Sequence, residues 1–485
     1  MFYVRNISQA TSAFSRYAGK MRRVAPWALR SLVALLAIAC GDDDNVTAKP
    51  DAASPPPAGD GGDVVAAADT GTSNVDAALP DTGVGDAGID TGPAYVYPYF
   101  DINHILSTGQ SLSVGSQGAP LLSTTQPYAN LKFNTGVVAG GSATGMTSFI
   151  PLVEGPTLET MSSGLANLIT QMAEDEVFKT RPAPANTHVA LVSCHGVGGI
   201  AYAGLKKGTT PYANGMMQAT RGKAIAAGLG KSYVVRVVTN VHGESDHRDG
   251  NTSYKGDLVE WQKNYDTDVR AITGQTLPIP MLHTQISNWP FYGQGTSLIP
   301  MAQLEASTEN PGKIILVGAK YNIPYAADGL HLNNHGYRQM GEYYAKVYRR
   351  VVLEGGTWEP VRPVSAAISG DEIKIAFKVP VPPLVLDTTL VTDPGDYGFE
   401  YTDDSATPPQ IASVAIDGAT GVKIKLSAVP TGPNSRVRYA MTSVPKAKAG
   451  PTTGPRGNLR DSDKTPSLHG YDLYNWAVHF EVPVP

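Results

Sequence analysis

The sequence predicts an α/β domain with a parallel sheet, followed by a small all-β domain. Between residues 98 and 353, short apolar runs alternate with helical patterns, which is typical of a parallel sheet covered by helices on both faces. Beyond Pro360 the helical patterns stop, and short alternating stretches are separated by turn clusters rich in glycine and proline. We therefore expect a three-layer α/β/α domain over residues 96–357 and a β-sandwich over residues 358–485.

The α/β region contains five strand-like runs and five helical patterns. The predicted strands cover residues 102–107, 188–194, 234–241, 279–286 and 313–319. The predicted helices cover residues 164–179, 216–228, 254–273, 299–306 and 336–353. Functional groups of such sheets lie outside the carboxyl ends of the strands, so residues that directly follow the strands are the first candidates for a site.

The C-terminal region shows period-two alternation at 372–379 and 422–426, with turn clusters at 417–421 and 430–433. Its aromatic residues have two interpretations: packing in a core, which we favour, or lining a sugar-binding surface. They are Tyr397, Phe399, Tyr401, Tyr439, Tyr471, Tyr474, Trp476 and Phe480.

The first 40 residues are predicted to be a targeting segment rather than part of the fold. They carry six basic and no acidic residues, and an apolar stretch ends at Ala37-Ile38-Ala39-Cys40, which resembles a bacterial lipobox. We expect a lipoprotein signal peptide over residues 1–40, acylation of Cys40, and an extracytoplasmic protein anchored to a bacterial membrane. A plain N-terminal anchor and soluble secretion are the alternatives.

Residues 41–95 are predicted to be a disordered tether, because aspartate, glycine, alanine and proline dominate and aromatic residues are nearly missing. Residues 41–93 have a net charge of −10, residues 1–40 have +6, and residues 94–485 have only −1. A nearly neutral folded part argues against a nucleic-acid partner, for which a basic face is expected.

Three short stretches that directly follow strand-like runs indicate ester hydrolysis. Gly109-Gln110-Ser111 supplies a serine, the stretch 241–244 supplies a polar contact, and Asp328 and His331 are three residues apart. A serine hydroxyl is a weak nucleophile near neutral pH, so it needs an imidazole to take its proton and a carboxylate to orient that imidazole. We predict Ser111 as nucleophile, His331 as base and Asp328 as its orienting acid.

These stretches, with Gly196-Val197-Gly198-Gly199, resemble in order the four motifs of the SGNH hydrolases. They are most similar to the carbohydrate-esterase branch that contains sialate O-acetylesterases and acetylxylan esterases. The resemblance implies an acetyl-enzyme mechanism and an oxyanion hole that includes the amide of Ser111 and that of Gly198 or Gly199.

The chain departs from that branch at two positions of its motifs. Leu112 follows the serine where the branch has asparagine, and His242 replaces a glutamine whose amide donates to the oxyanion. We predict that His242 takes over as donor, since a neutral imidazole retains one N–H. In the alternative, His242 points elsewhere and the backbone amides alone form the hole. Glu244 is predicted to organise the surrounding loops without carrying a proton.

The resulting hypothesis is a serine carbohydrate esterase that removes O-acetyl groups from a polysaccharide or a sialylated glycan. The alternatives are a lipase or thioesterase of the same superfamily, and a glycan-binding lipoprotein on an inactive esterase scaffold. No cofactor is expected, and no metal, because the histidines lack the spacing of metal ligands. The expected partners are the acetylated glycan and, through Cys40, the membrane; we expect a monomer.

Overall fold

The computed structural model describes residues 95–485, which belong to one compact unit. The predicted signal peptide with Cys40 and nearly all of the predicted tether lie outside these residues. A seven-stranded sheet with the order β3-β2-β4-β1-β5-β6-β7 forms the centre of the α/β region. Its strands are β1 Ile102–Gly109, β2 Leu131–Phe133, β3 Phe149–Pro151, β4 Ala190–Cys194, β5 Tyr233–Val241, β6 Met281–His283 and β7 Ile314–Leu316.

Six α-helices accompany this sheet. They are α1 Ser162–Met172, α2 Thr210–Gly228, α3 Glu244–Asp249, α4 Tyr254–Thr273, α5 Ile299–Glu309 and α6 Asn334–Tyr348, and π-helical turns at Ala173–Val177 and Arg349–Leu353 extend α1 and α6. Each helix between residues 95 and 485 is too short or too polar to cross a lipid bilayer.

Hydrophobic cores on both faces of the sheet confirm the predicted three layers. Ile105 packs into the cluster that contains α1 and α6, whereas the next residue of β1, Leu106, packs into the cluster that contains α4. Successive side chains of a strand point to opposite faces, so β1 joins two separate helical layers. The described part of the sheet is parallel except for β3, which pairs antiparallel with β2.

The C-terminal region consists of antiparallel sheets, as predicted. A four-stranded sheet has the order β12-β13-β9-β8, a three-stranded sheet has the order β11-β14-β16, and β10 pairs with β15. These strands are β8 Arg362–Ser369, β9 Glu372–Lys378, β10 Val385–Leu386, β11 Phe399–Thr402, β12 Ile411–Asp417, β13 Gly421–Leu426, β14 Arg436–Tyr439, β15 Leu459–Arg460 and β16 Phe480–Pro483.

Most of the C-terminal aromatic side chains belong to a core, which agrees with the favoured interpretation. Phe399, Tyr439, Trp476 and Phe480 are buried in one hydrophobic cluster, with Tyr397 and Tyr401 partly buried against it. The same cluster includes residues of the α/β region, and the hydroxyl of Tyr321 donates to the carbonyl of Ala477 at 2.7 Å. The two regions therefore share a core.

Candidate active site

The carboxyl ends of three adjacent strands and the loop after β7 bring the predicted site residues together. Strand β1 lies between β4 and β5, with Ser107 opposite Cys194 and Gly109 opposite Val241. Gly109 has a φ of +130°, and a Cβ atom there would lie 2.3 Å from the carbonyl oxygen of Val241. Only glycine lets the chain turn this close to β5, and the turn presents Ser111 at the edge of the sheet.

Ser111, His331 and Asp328 form a continuous hydrogen-bonded chain. The Oγ of Ser111 lies 2.8 Å from Nε2 of His331, and Nδ1 of His331 lies 2.6 Å from Oδ2 of Asp328. Ser111 is half-buried, and the side chains of His331 and Asp328 are 15% and 29% exposed. With Nδ1–H donating to the carboxylate, Nε2 is free to accept the serine proton, which is the arrangement that nucleophilic catalysis requires.

The second oxygen of Asp328 fixes the orientation of this carboxylate. Oδ1 accepts from the backbone amides of Leu330 and His331, both at 3.0 Å. Burial by itself raises the pKa of Asp328, but the hydrogen bonds from His331 and from the two amides outweigh it and hold the pKa below its ordinary value. Asp328 is therefore an anion at neutral pH. Two residues after His331 in the sequence, Asn333 caps the N-terminus of α6 by accepting from the amide of Gly336.

The loop after β4 lies beside the serine. A Cβ atom placed on Gly198 would lie 3.6 Å from Cβ of Ser111, and Gly198 and Gly199 are exposed. Within residues 95–485, the amides of Ser111, Gly198 and Gly199 donate no hydrogen bond. Unpaired amides next to a nucleophile are the groups expected of an oxyanion hole.

The predicted donor role of His242 is wrong in this structure, because other groups occupy both of its ring nitrogens. Nε2 lies 3.0 Å from the carbonyl oxygen of Ile200, and Nδ1 lies 2.8 Å from the hydroxyl of Tyr254. Burial lowers the pKa of His242, although the charge of Asp246 opposes it, so the ring is neutral. Its single proton then goes to Ile200 and the Tyr254 hydroxyl donates to Nδ1.

His242 instead holds the loop that contains Gly198 and Gly199. Two further residues of the same stretch do so as well: Asp246 accepts from the amide of Tyr202 at 2.9 Å, and Arg248 donates to the carbonyl of Gly199 at 3.3 Å. The segment from His242 to Arg248 thus supports the loop that contains Gly198 and Gly199 through three separate contacts.

Glu244 occupies the organising position that was predicted for it. Its Oε2 accepts from the side-chain amide of Gln110 at 3.0 Å, while the amide of Ser245 donates to the side-chain oxygen of Gln110 at 3.1 Å. Its Oε1 lies 2.9 Å from Nζ of Lys320, and both side chains of this ion pair are 0% exposed. Sequence reasoning missed Gln110 and Lys320 as site residues; a lysine directly after the apolar run 313–319 was the available signal.

Leu112, at the other departure from the expected motif, is fully buried in the core on the α1 and α6 face of the sheet. An asparagine would be costly there without partners, so the apolar residue suits this environment.

A loop of the C-terminal region packs against the segment that carries Asp328 and His331, here called the acid–base loop. Sequence analysis did not predict this contact. The amide of Ala449 donates to the carbonyl of Gly329, and Lys448 packs directly against Gly329. In the same loop the amide of Lys446 donates to the carbonyl of Pro290 at 2.6 Å. The β domain therefore contacts the segment that carries Asp328 and His331.

No group of three or more histidine, cysteine, aspartate or glutamate side chains between residues 95 and 485 is arranged to hold a metal ion.

Comparison with solved structures finds several matches of low sequence identity. A carbohydrate acetylesterase from Xanthomonas citri is 15% identical with a TM-score of 0.49 and covers 78% of this chain and 80% of its own. A protein from Arabidopsis thaliana is 17% identical with a TM-score of 0.37 and covers 51% of this chain and 97% of its own. A carbohydrate acetylesterase from Sinorhizobium meliloti is 13% identical with a TM-score of 0.27, covering 50% and 97%.

No curated protein matches the chain. A family model does match: residues 170–350 fit the one described as carbohydrate esterase, sialic acid-specific acetylesterase. The match includes Gly198, Gly199, His242, Glu244, Asp328 and His331, whereas Ser111 precedes it. Residues 170–350, less than half of the chain, are thus similar to that carbohydrate esterase family.

Proposed function

We propose that the protein is a serine carbohydrate esterase that removes O-acetyl groups from a polysaccharide or a sialylated glycan. The observation that carries the proposal is the chain of hydrogen bonds from Ser111 through His331 to Asp328, with contacts of 2.8 and 2.6 Å. It supplies a nucleophile, a general base and an orienting anion in contact with one another before any substrate binds.

In the proposed reaction, Nε2 of His331 takes the proton of Ser111 as Oγ attacks the ester carbonyl. The imidazolium that forms is stabilised by the Asp328 carboxylate, and it then protonates the leaving sugar hydroxyl as the C–O bond breaks. Water, deprotonated by the same imidazole, hydrolyses the acetyl-enzyme and releases acetate. The imidazolium formed in this second step gives the proton from water to Oγ of Ser111 as the acyl C–O bond breaks, so Ser111, His331 and Asp328 regain their starting protonation states, and the acetic acid released ionises to acetate.

Backbone amides are proposed to stabilise the tetrahedral oxyanion. The amides of Ser111, Gly198 and Gly199 have no competing acceptor among the described residues, and Gly198 lies beside the serine. Because His242, Asp246 and Arg248 hold this loop in place, little reorganisation is needed as the negative charge develops.

The exposed surroundings of Ser111 support a bulky leaving group. Val197 is 37% exposed and the two following glycines are also exposed, so the nucleophile lies at an open edge. A polymeric glycan reaches such a serine more readily than one at the end of a deep channel. The acetyl preference itself rests on the family match.

The first test is hydrolysis of 4-nitrophenyl acetate, butyrate and octanoate by residues 94–485. We expect activity on the acetate that falls as the acyl chain lengthens and is lost in Ser111→Ala. The exposed Ser369 lies in the β domain, and Ser369→Ala is the matched control that keeps full activity. Acetate release from acetylated xylan and from O-acetylated sialic acids then distinguishes the two glycan classes.

Two results would contradict the proposal. Higher activity on octanoate than on acetate would favour a lipase or thioesterase. A well-folded protein without activity on any ester would favour a glycan-binding protein on an esterase scaffold.

We also propose attachment to a membrane through an acylated Cys40, which lies outside the described residues. The support is the stretch Ala37-Ile38-Ala39-Cys40 after a basic and apolar segment. Expressed in a bacterium, the full chain should incorporate labelled palmitate and sediment with membranes, whereas Cys40→Ser should do neither. Incorporation of label into Cys40→Ser would refute this anchor.

A further inference from the structure

A fully buried lysine–glutamate pair lies directly behind the turn that carries Ser111. Lys320 follows β7, Glu244 follows β5 and Gln110 follows β1, so the contacts connect three strand ends of the sheet. Burying two charges is costly, and a buried pair is by itself weak evidence for stability. Its position next to the nucleophile therefore suggests another role.

Each carboxylate oxygen of Glu244 contacts a different partner. Oε1 faces the ammonium group of Lys320 at 2.9 Å, and Oε2 receives the side-chain amide of Gln110 at 3.0 Å. Gln110 is 2% exposed, and its own side-chain oxygen is held by the amide of Ser245. The side-chain amide of Gln110, the residue before the nucleophile, is thereby held at both its nitrogen and its oxygen.

Glu244 depends on Lys320 for its charge. Burial raises the pKa of Glu244, but the charge and hydrogen bond of Lys320, followed by a backbone hydrogen bond, oppose this, and the net direction is downward. Among residues 95–485, Lys320 is the only partner in an ion pair with Glu244.

The other titratable groups around the pair are neutral and cannot replace this cation; they include His247, whose pKa burial lowers against the charge of Glu244. Burial lowers the pKa of His242, and it lowers those of His283 and His479 to about 3. Burial also raises the pKa of every tyrosine close enough to interact with Glu244, so none adds charge; they are Tyr254, Tyr292, Tyr325, Tyr337 and Tyr344.

We propose that Lys320 is a positioning residue for the esterase reaction: it keeps Glu244 ionised so that Glu244 holds Gln110, and Gln110 holds the turn of Ser111. The proposal rests on the proposed function. Charge-assisted hydrogen bonds are roughly twice as strong as neutral ones, so loss of the charge on Glu244 loosens the turn without removing any contact to substrate.

The test compares Lys320→Met with Lys346→Met. Lys346 is also buried and paired, with Asp463 at 2.6 Å, but it contacts the C-terminal segment rather than the site. On 4-nitrophenyl acetate we expect Lys320→Met to lower kcat by about 10- to 100-fold, of the order of a lost electrostatic contact, with KM nearly unchanged. Lys346→Met should lower thermal stability and leave kcat near that of the wild type.

The pH profile separates positioning from a general loss of stability. In Lys320→Met, the largest opposition to burial is gone and the pKa of Glu244 rises, so kcat should partly recover as the pH rises above neutral. The double variant Glu244→Gln/Lys320→Met has no buried charge, and its kcat should lie above that of Lys320→Met and lack this pH dependence. If Lys320→Met does not fold, Lys320→Gln takes its place with the same expectation.

Hydrogen–deuterium exchange provides a readout that needs no activity. The peptide that contains Gln110 and Ser111 should exchange faster in Lys320→Met than in the wild type, and at the wild-type rate in Lys346→Met. An inactive wild type would refute the proposed function while leaving this comparison decisive for Lys320. The inference is overturned by unchanged exchange at Ser111, or by a kcat for Lys320→Met no lower than that of Lys346→Met.

Discussion

Asp328 shows how one side chain selects the tautomer of the catalytic base. Backbone amides of Leu330 and His331 donate to its Oδ1, so only Oδ2 is available to the imidazole. In Asp328→Asn the side-chain oxygen stays with the two amides, and the NH₂ group faces Nδ1 of His331. The ring must then accept at Nδ1 and carry its proton on Nε2, where it cannot accept from Ser111.

We therefore expect Asp328→Asn to lower kcat on 4-nitrophenyl acetate by about 10⁴-fold while the protein remains folded. Steady-state kinetics with a circular dichroism spectrum of the variant checks this. A loss of less than tenfold would show that Asp328 does not set the tautomer.

His242 gives a second prediction, in which its effect is structural rather than electrostatic. His242→Ala leaves the buried hydroxyl of Tyr254 without a partner, at a cost of about 1–3 kcal/mol, and also removes the contact to the half-buried carbonyl of Ile200. Chemical denaturation should show this loss. Because the ring is neutral, the pH profile of kcat/KM between pH 5 and 8 should keep its wild-type shape in His242→Gln. A shifted profile would restore the oxyanion-donor hypothesis.

The order of the motifs was enough to predict which residues meet at the site, but not which groups hold them. Ser111, Asp328 and His331 were predicted from their positions after strands, and the structure places them in contact. The partners of His242 were not predictable, because Ile200 and Tyr254 approach it only after the loops have folded over β5. Lys320 is 76 residues from Glu244, and no local pattern connects them.

At the scale of elements, helix α6 contains a buried carboxyl group whose burial is only partly compensated. Glu342 is 0% exposed, and within residues 95–485 neither of its oxygens has a hydrogen-bond partner. Burial raises its pKa to about 7, and Ser467 and Arg338 oppose this only in part. His469 lies 4.0 Å away, but burial lowers its pKa to about 4, so it is neutral.

A raised pKa in the folded state makes the contribution of Glu342 to stability dependent on pH. The contribution is fully present below pH 4.5 and is lost as the pH rises through about 7, where the folded protein must ionise a buried group. Relative to the wild type, Glu342→Gln should gain up to about 3 kcal/mol of unfolding free energy between pH 5 and 8. Urea titrations at both pH values test this, with exposed Glu309→Gln as a control that shows no such gain.

The acid–base loop depends on close contact with the C-terminal loop at Gly329. Gly329 has a φ of +69°, and a Cβ atom there would lie 2.4 Å from Cβ of Lys448. Gly329→Ala should displace Asp328 and His331 and lower kcat at least tenfold, since small displacements of reacting groups cost about 10²-fold. Gly312→Ala is the control, because its φ is +75° with no atom within 4 Å of the added Cβ. Equal kcat values in both variants would contradict this account.

Long, periodic elements were predicted well, and short ones stabilised by distant contacts were not. The bounds of α4 agree with the predicted helix over 254–273, and β1 and β5 lie where the apolar runs indicated. Strands β2 and β3 have three residues each, too few for a periodic pattern to appear. Strand β6 is only three residues long within an apolar run of eight, since burial extends beyond the paired backbone.

At the scale of the whole molecule, the predicted boundary near residue 357 runs through a shared core. Leu304, Leu316 and Tyr321 of the α/β region belong to the same hydrophobic cluster as Ile373, Val422 and Phe480 of the β sheets. Polar contacts cross the boundary too: the side-chain amide of Gln285 donates to the carbonyl of His479, and the amide of His479 donates back to the side-chain oxygen of Gln285. The change from helical patterns to short alternating stretches in the sequence thus coincides with a change of architecture, although the packing of side chains is continuous across it.

We predict that residues 94–485 unfold in one cooperative transition. Independent domains unfold separately when their interface is small, but here removal of either part exposes buried side chains of the other. Tyr321→Ala removes a core side chain and its hydrogen bond to Ala477, so it should lower the unfolding temperature of both regions together. Tryptophan fluorescence, which includes Trp476, and loss of esterase activity should follow the same curve. Two resolved calorimetric peaks, with only one shifted in Tyr321→Ala, would show that the β domain folds independently.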